Sequence, residues 1–583
     1  MGTLSYLAYR AGHSSGMDPP SNLSYLHTPP VKPNNYSTVT RVAKENARLR
    51  PNQELFIHRE LDGSRSSLTN ASLYQQADQL ARFLVTQGIK RGDVVALAGP
   101  NTLEMVIGML GILSAGAVVL NVIITVKTSL DVKALFQLTR AKCILVDCGE
   151  NNSLLPPVKT MLENCNVQTG ETSQDDKIKV IFLRKTDLDG FKTTENLQKI
   201  LSQSIDEVDL PHVYPEDNAI IFTTSGSTGK PKLVLHSHFD FASFPFSLIP
   251  STVDYELMLF NDRPFGWIGG TPVSNILRSE TRIFMDPSVS MNTENVDFLW
   301  RVLEEERCTD ALLAPFVIHD LIELPQKDTK DRFMLQHIFT GGQMIDNYYT
   351  RIIGKFCHEM AIVYACTEGT GITLHGPIDR TEPLLAGDVG PACPGVEIRV
   401  VDPQELPIER GLTGKIQIRS LHLMKEYVGS PELTKEAFTE DRWFRTGDIG
   451  KVSSNGHLIL LGRESDAIKR GTRKVYPAML EFLLKKMESV KEVCVVPVPD
   501  KRLYEEICVC FVPSGKITPD DVQRYCEQNL FTENTVDSLG EMPTYFLQYE
   551  VFPKLGSGKP DKKAIQVDAS QRLGLTGVGA SEN

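Results

Sequence analysis

The sequence predicts an α/β protein: a large, multi-lobed N-terminal α/β domain with a β subdomain, followed by a small C-terminal α+β domain. Three observations carry this. From about Val39 to Gly149 apolar runs alternate with amphipathic stretches, and 150–215 repeat the pattern with longer polar connections, as strands separated by helices in a largely parallel sheet require. From about Cys393 the texture changes to short strands and turns. After Gly462-Arg463-Glu464-Ser465-Asp466, which reads as a linker, a compact mixed pattern closes the chain.

Leu73, Ala77, Leu80 and Ala81 share one face of a helix over Ser72–Ala81. Arg91-Gly92-Asp93 turns into a strand, Val94–Ala98, and Glu104–Leu113 is the next helix. Met105 to Val126 carry no charge and could cross a bilayer. Gly108, Gly111, Ser114, Gly116 and Asn121 interrupt that run, however, and it splits into a helix, a Ser-Ala-Gly turn and a buried strand, Ala117–Leu120. No transmembrane span is expected. Ala141–Asp147 is a further strand, and so are Leu335–Thr340 and Met360–Tyr364, both of which end in small or polar residues. Strand ends of that kind are where open α/β sheets bind ligands. Short strands follow at Val396–Val401, Gly414–Arg419 and His457–Leu461. Beyond the linker Met479–Met487 reads as a helix, Glu492–Val498 and Ile507–Pro513 as strands, and Thr518-Pro519-Asp520-Asp521 as a capped helix start. The expected division is an unordered segment 1–35, a first domain 36–462, a second domain 463–570 and a tail 571–583.

A net charge of −12 and a pI near 5.6 argue against a nucleic-acid partner, which needs a basic face. The 11 cysteines show no C-x-x-C pairing and fit a reducing compartment. Met1 to Ser15 contain one arginine and no acid, a faint transit-peptide character, and the terminal Ser581-Glu582-Asn583 is not a peroxisomal address. A cytoplasmic or mitochondrial matrix location is expected.

Between the apolar runs Ala219–Phe222 and Leu233–Leu235 lies Thr223-Thr224-Ser225-Gly226-Ser227-Thr228-Gly229-Lys230-Pro231-Lys232. Glycines let backbone N–H groups face an anion, the hydroxyls of Thr224, Ser225, Ser227 and Thr228 can donate to phosphate oxygens, and Lys230 and Lys232 add charge. A Gly/Ser surface turn has similar composition, but the tight bracketing by strands favours a phosphate-binding loop. Its spacing is not G-x-x-x-x-G-K-[ST], and a strand rather than a helix follows. Glu368 beside Thr367 suits Mg2+ and a phosphate oxygen, or is a solvated strand-end acid. Asp448, after Gly447, suits the hydroxyls of a ribose or forms a plain Gly-Asp turn. Lys559, in Pro553-Lys554-Leu555-Gly556-Ser557-Gly558-Lys559, reads on local grounds as a surface lysine.

In this order along the chain, the segments resemble the adenylate-forming (AMP-dependent synthetase/ligase) superfamily, in its acyl-CoA synthetase branch. Thr224 to Lys232 matches the family's phosphate loop, and Tyr364-Ala365-Cys366-Thr367-Glu368 its tyrosine-to-glutamate motif. Arg445-Thr446-Gly447-Asp448 matches its R-T-G-D, Gly462–Asp466 its hinge, and Gly556-Ser557-Gly558-Lys559 its terminal lysine loop. The resemblance spans about 36–566 and implies a mobile second domain. It further implies that ATP, with Mg2+ on Glu368, converts a carboxylic acid to an acyl-adenylate, and that coenzyme A then displaces AMP. By the same resemblance Lys559 bridges carboxylate and α-phosphate, and the loop Thr224, Ser225, Gly226, Ser227, Thr228, Gly229, Lys230 and Lys232 holds the outer phosphates. Thr367 takes the α-phosphate, Asp448 and Arg463 the ribose, and Gly341, Gly342 and Gln343 flank the adenine with Tyr364, Ala365 and Cys366. Lys469 and Gly471 belong to the loop that arrives for the thioester step. A medium-chain fatty acid or similar hydrophobic carboxylate is the expected substrate.

Some positions depart from the family pattern. Leu233 and Ala365 replace glycines, Ser465 stands where the hinge has lysine or aspartate, and Leu555 replaces a threonine. Arg263-Pro264-Phe265-Gly266-Trp267-Ile268-Gly269-Gly270 replaces an aromatic-rich segment, which makes Trp267 a candidate wall of the acyl pocket or a core tryptophan. The alternatives are an adenylating enzyme with another acceptor, oxygen or a carrier protein, and a non-catalytic nucleotide-binding homologue.

Overall fold

Helices begin where the sequence supplies caps. Thr69 and Ser72 form a reciprocal capping box that opens Asn70–Thr86, a helix longer at both ends than its apolar face alone predicts. The Thr102 hydroxyl accepts the Met105 amide and opens Leu103–Ser114. Apart from Glu104 that helix is buried along its whole length. A Cβ at Gly111 would stand 2.7 Å from Leu80 Cδ2, so glycine allows the close approach of these helices. The described part of the uncharged run, Met105 to Val122, is therefore core. No helix among the described residues is long and apolar enough to cross a membrane.

The computed structural model describes residues 22–30, 35–122, 128–148, 155–164, 179–184, 196–203, 208–224, 232–242, 256–324, 333–345, 347–378, 380, 384–471, 473–530, 542–554 and 560–575. The N-terminal residues 1–21, the loop residues Ser225, Gly226, Ser227, Thr228, Gly229 and Lys230, the catalytic candidate Lys559 and the tail beyond 575 lie outside them.

Among the described residues the strands form four sheets. In the first, Val94–Ala98 lies parallel between Val118–Val122 and Cys143–Val146, and Asn218–Thr224 adds in parallel before Lys232–Ser237 turns back antiparallel. The second runs Met258–Asn261, Asp310–Leu312, Leu335–Gly341 and Cys357–Cys366 in parallel, with Thr370–Ile378 antiparallel at its edge. The third is antiparallel: Glu397–Val401, Gly414–Arg419, Phe444–Val452, Leu458–Arg463 and Asp388–Gly390. Phe260 and Ile338 of the second sheet share one core with Ile398 and Ile418 of the third. The fourth follows Glu464–Asp466, with Val490–Asp500 and Tyr504–Pro513 as its long pair and the helices Pro477–Leu484 and Lys562–Arg572 packed on it. Cys508 and Cys510 face one side there, both buried, as their alternation predicts. Thr518 caps its helix in a box with Asp521.

Three local expectations are corrected. The segment 1–35 is not unordered throughout: Tyr25–His27 is a strand that pairs antiparallel with Glu397–Val401 at the edge of the third sheet. Gly462 and Arg463 are not linker: the strand Leu458–Arg463 runs through them because Phe444–Val452 still offers partners, with Arg463 opposite Asp448. The linker shortens to a 3-10 turn, Glu464–Asp466. Gly447-Asp448 is likewise not a chain-reversing turn but lies inside Phe444–Val452.

His238 is buried, and its Nδ1 accepts the Val39 amide at 3.3 Å. Burial pulls its pKa down to about 4 from 6.5, as it does for His422. Both are neutral in the fold, whereas the unfolded chain takes up protons near pH 6.5. The stability each contributes is full above pH 6.5 and is lost as pH falls toward 4, on the order of 3 kcal/mol apiece. His238→Gln, which keeps an acceptor, should flatten the decline of Tm between pH 6.5 and 4. An unchanged slope would remove His238 from the acid transition.

Candidate active site

The hairpin of Asn218–Thr224 and Lys232–Ser237 closes at the pair Thr224–Lys232, where the Thr224 hydroxyl donates to the Lys232 carbonyl at 3.4 Å. The chain between them is the hydroxyl-rich segment. Leu233, where the family has glycine, is 2 % exposed and packs with Leu235, Ile221 and Leu120, so this strand position takes an apolar side chain.

Two contacts tie the closing strand of this hairpin to the Thr367-Glu368 turn. The Lys232 ammonium lies 4.8 Å from the centre of the Tyr427 ring, and the Tyr427 hydroxyl donates to Glu368 Oε1 at 2.7 Å. Burial, reinforced by the Glu368 carboxylate, pushes the Tyr427 pKa far up, so it stays a donor. His236 Nε2 donates to the Thr367 carbonyl at 2.8 Å. Glu368 is thus positioned rather than merely solvated, and one of its carboxylate oxygens remains available. Neither Tyr427 nor His236 lies in a motif. The signal available for His236 was its place on the strand after the loop; Tyr427, nearly two hundred residues on, gave none.

A second cluster forms across the strands. The Tyr364 hydroxyl donates to Asp448 Oδ2, and Arg463 Nε stands 2.8 Å from Oδ1. Lys415 pairs with Ile449 and Gln417 with Arg445, so Thr446-Gly447-Asp448 together face Ile416. This is a bulge, and Gly447, at φ +75, makes it possible. Thr446 Oγ1 donates to the Ile416 carbonyl at 2.9 Å and accepts the Asp448 amide at 3.0 Å, while Arg463 Nη1 donates to the Thr446 carbonyl at 3.2 Å. The glycine read as a turn signal therefore re-aims Asp448. Burial pushes the Asp448 carboxyl up and Arg463 opposes it. A carboxylate offers about four lone-pair directions, so with Tyr364 and Arg463 engaged two remain for a ligand's hydroxyls.

Gly341 closes its strand opposite Val363; a Cβ there would stand 2.1 Å from the Val363 carbonyl oxygen, so no other residue fits. Gly342 continues at φ +87, and the Gln343 side chain donates to the Tyr349 hydroxyl at 3.2 Å. Because Leu335–Gly341 and Cys357–Cys366 are parallel, this turn and Thr367-Glu368 leave the same edge of the sheet, the ligand-binding edge. Ala365 and Cys366 are the last residues of Cys357–Cys366, and burial pushes the Cys366 thiol up, which keeps it neutral. Trp267 follows Met258–Asn261 off that edge too. It is 37 % exposed, which excludes the core-tryptophan reading; Phe265 takes the buried position under Arg282.

Lys469 and Gly471 belong to the fourth sheet. Gly471, at φ +61, turns the hairpin Ile468–Arg470 to Arg473–Val475 and donates its amide to the Leu503 carbonyl at 2.7 Å. Glu464 stands 3.1 Å from Lys415 of the third sheet and 3.5 Å from Lys474 of the fourth. Lys554 and Pro560, which flank 555–559 in the chain, form a β-bridge.

A sequence model of the AMP-binding enzyme family matches residues 43–428. The chain belongs to the AMP-binding enzyme family. It is 28% identical to the medium-chain acyl-CoA ligase ACSF2, mitochondrial, of Danio rerio, over 96% of this chain and 93% of that protein. It is 26% identical to the long-chain-fatty-acid–CoA ligase FadD13 of Mycobacterium tuberculosis, over 90% of this chain and 97% of that one. Among solved structures, the anthranilate CoA ligase AuaEII with anthranoyl-AMP superposes with a TM-score of 0.75 at 17% identity, covering 93% of this chain and 98% of that one. The amide bond synthetase McbA of Marinactinospora thermotolerans does so at 0.73 and 22%, covering 91% and 99%. These two likenesses establish the adenylate-forming fold, with its large N-terminal α/β domain, and nothing finer. In this AMP-binding enzyme Tyr427 joins Lys232 to Glu368, and Tyr364, Asp448 and Arg463 form a second cluster between the second and third sheets.

Proposed function

We propose that this AMP-binding enzyme is an acid–thiol ligase, which joins a medium-chain fatty acid or similar hydrophobic carboxylic acid to coenzyme A with ATP, releasing AMP and diphosphate. The observation that carries it is a buried carboxylate with open acceptor positions, Asp448 of the third sheet, bonded to Tyr364 of the second, whose strand runs on into the Thr367-Glu368 turn that Tyr427 ties to Lys232 of the first. In the first step a carboxylate oxygen attacks the α-phosphorus and the bond to the β-phosphate bridging oxygen breaks, leaving acyl-adenylate and diphosphate. Both reactants are anions, so fixed positive charge must meet them as the bond forms. In this reading Lys559 supplies it at the carboxylate and α-phosphate, Lys230 and Lys232 at the outer phosphates, and Thr367 donates to the α-phosphate. Asp448 and Arg463 orient the ribose, and Gly341-Gly342-Gln343 with Tyr364 border the adenine. Glu368 would hold Mg2+, whose charge neutralises the phosphates; its free carboxylate oxygen and the neutral Tyr427 beside it suit a cation.

In the second step the coenzyme A sulfur attacks the acyl carbonyl and AMP leaves. We place the hinge at Glu464–Asp466, dividing 36–462 from 463–570 within a residue or two, with Lys469 and Gly471 carried toward the site as Lys559 withdraws. The ion pairs of Glu464 with Lys415 and Lys474 are solvent-exposed, and such pairs are worth about 1 kcal/mol or less. A contact that weak can break and re-form in each turnover. Trp267, partly exposed at the ligand edge, borders the acyl chain.

A family fold also found in an amide bond synthetase leaves the acceptor to be tested directly. AMP release measured across carboxylic acids of increasing length should peak with medium chains and turn over only when coenzyme A is present. Equal release without coenzyme A would point to another acceptor. The ACSF2 relatives are named mitochondrial, and the same address is proposed for this chain.

A further inference from the structure

We propose that His375, Asp388 and His457 form a binding site for a transition-metal dication of the zinc type, clipping the second sheet to the third. His375 lies on the edge strand Thr370–Ile378 of the second sheet; Asp388 lies on Asp388–Gly390, and His457 immediately precedes Leu458–Arg463, both in the third. His375 Nδ1 is 3.3 Å from Asp388 Oδ1, and His457 Nδ1 is 3.0 Å from Oδ2. The ligand atoms all lie within 4.8 Å of one another, and the two rings meet edge-on with centroids 4.8 Å apart. A tetrahedral site with metal–ligand bonds of about 2.0 Å has ligand atoms about 3.3 Å apart, close to both carboxylate–imidazole separations. The two rings, about a fifth to a quarter exposed, have room to rotate onto a common centre.

Charge supports the same occupant. Asp388 is 6 % exposed, and among the described residues no lysine or arginine pairs with it. A buried carboxylate with no lysine or arginine partner suits a bound dication. The surroundings are built to present these groups. Gly390 donates its amide to Asp388 Oδ1 at 2.9 Å, fixing the carboxylate. A Cβ at Gly390 would stand 2.6 Å from His375 Cα, so only glycine, here at φ +79, lets the two sheets come together at this point. The His457 amide donates to Ser453 Oγ at 3.1 Å, holding the turn. Two imidazoles and one carboxylate with no thiolate select Zn2+ or a neighbouring first-row dication over Mg2+ or Ca2+. The clip stands at the start of the strand that ends in Arg463, so it anchors the support of the Asp448–Arg463 pair and takes no part in the chemistry.

The test uses the full-length chain stripped with a chelator and titrated with ZnCl2 by calorimetry, with Tm read alongside. The native protein should bind one equivalent and gain several degrees in Tm. His457→Gln and His375→Gln should each weaken binding by about 100-fold or more and lose the Tm gain, while matching the native Tm in chelator. Co2+ should give visible d–d bands in the native protein that both variants lack. If His375→Gln fails to fold, the more exposed His457→Gln decides. Native-like zinc binding by that variant, or none by the stripped native chain, overturns the site.

Discussion

Lys559→Ala should abolish acyl-adenylate formation, while thioester formation from a supplied acyl-adenylate stays within a few-fold of the native rate. The asymmetry follows from charge. In the first step two anions approach and negative charge collects between the carboxylate and the α-phosphate, whereas in the second a thiol attacks a carbonyl already activated by AMP. Removing one preorganised donor from such a centre costs about 10²–10³-fold in rate, and a full cation between two anions lies at or above that range. Diphosphate release measures the first half alone, and coenzyme A consumption with synthetic acyl-adenylate the second. A near-normal rate of diphosphate release would sink the assignment. Parallel loss of both halves would show that Lys559 supports the whole domain rather than one step.

Asp448→Asn should lower kcat/KM for ATP by about 100-fold, equivalent to about 2.7 kcal/mol, with most of the change in KM. A ribose contact is made alike in ground state and transition state, and losing it raises KM. The substitution keeps the shape of the side chain but removes the charge facing Arg463 and weakens the acceptor for Tyr364. Burial already disfavours the Asp448 charge, so a neutral amide is tolerated and Tm should stay within a few degrees of native. The opposite pattern, an unchanged KM for ATP with a clear fall in Tm, would make Asp448 a strut for the strand pair rather than a nucleotide contact.

The legible parts of the chain share one property: each is written in neighbouring residues. The helix Asn70–Thr86, the strand Val94–Ala98 and the capped start at Thr518 depend on periodicity and caps within a few positions. The glycine at 447 was visible but its use was not. A positive-φ glycine serves a turn or a bulge equally well, and only the partner strand Gly414–Arg419 makes it a bulge. The extent of Leu458–Arg463 depended in the same way on the strand beside it. Trp267 could not be assigned to core or surface because hydrophobicity alone does not say which of two aromatic neighbours, Phe265 or Trp267, turns inward.

The sequence by itself determined the class of fold, the order of the motifs along the chain, and the family to which they belong, because each motif is a short run with its own spacing. Tertiary structure decided what holds those motifs in place. Tyr427 and His236 steady the Thr367-Glu368 turn, the strand pair sets Arg463 on Asp448, and two histidines meet one aspartate across two sheets. These groups come from residues tens to hundreds of positions apart. Their chemistry arises from distances and burial that no local pattern encodes, since a carboxylate acquires its partners only when strands distant in the chain are packed side by side.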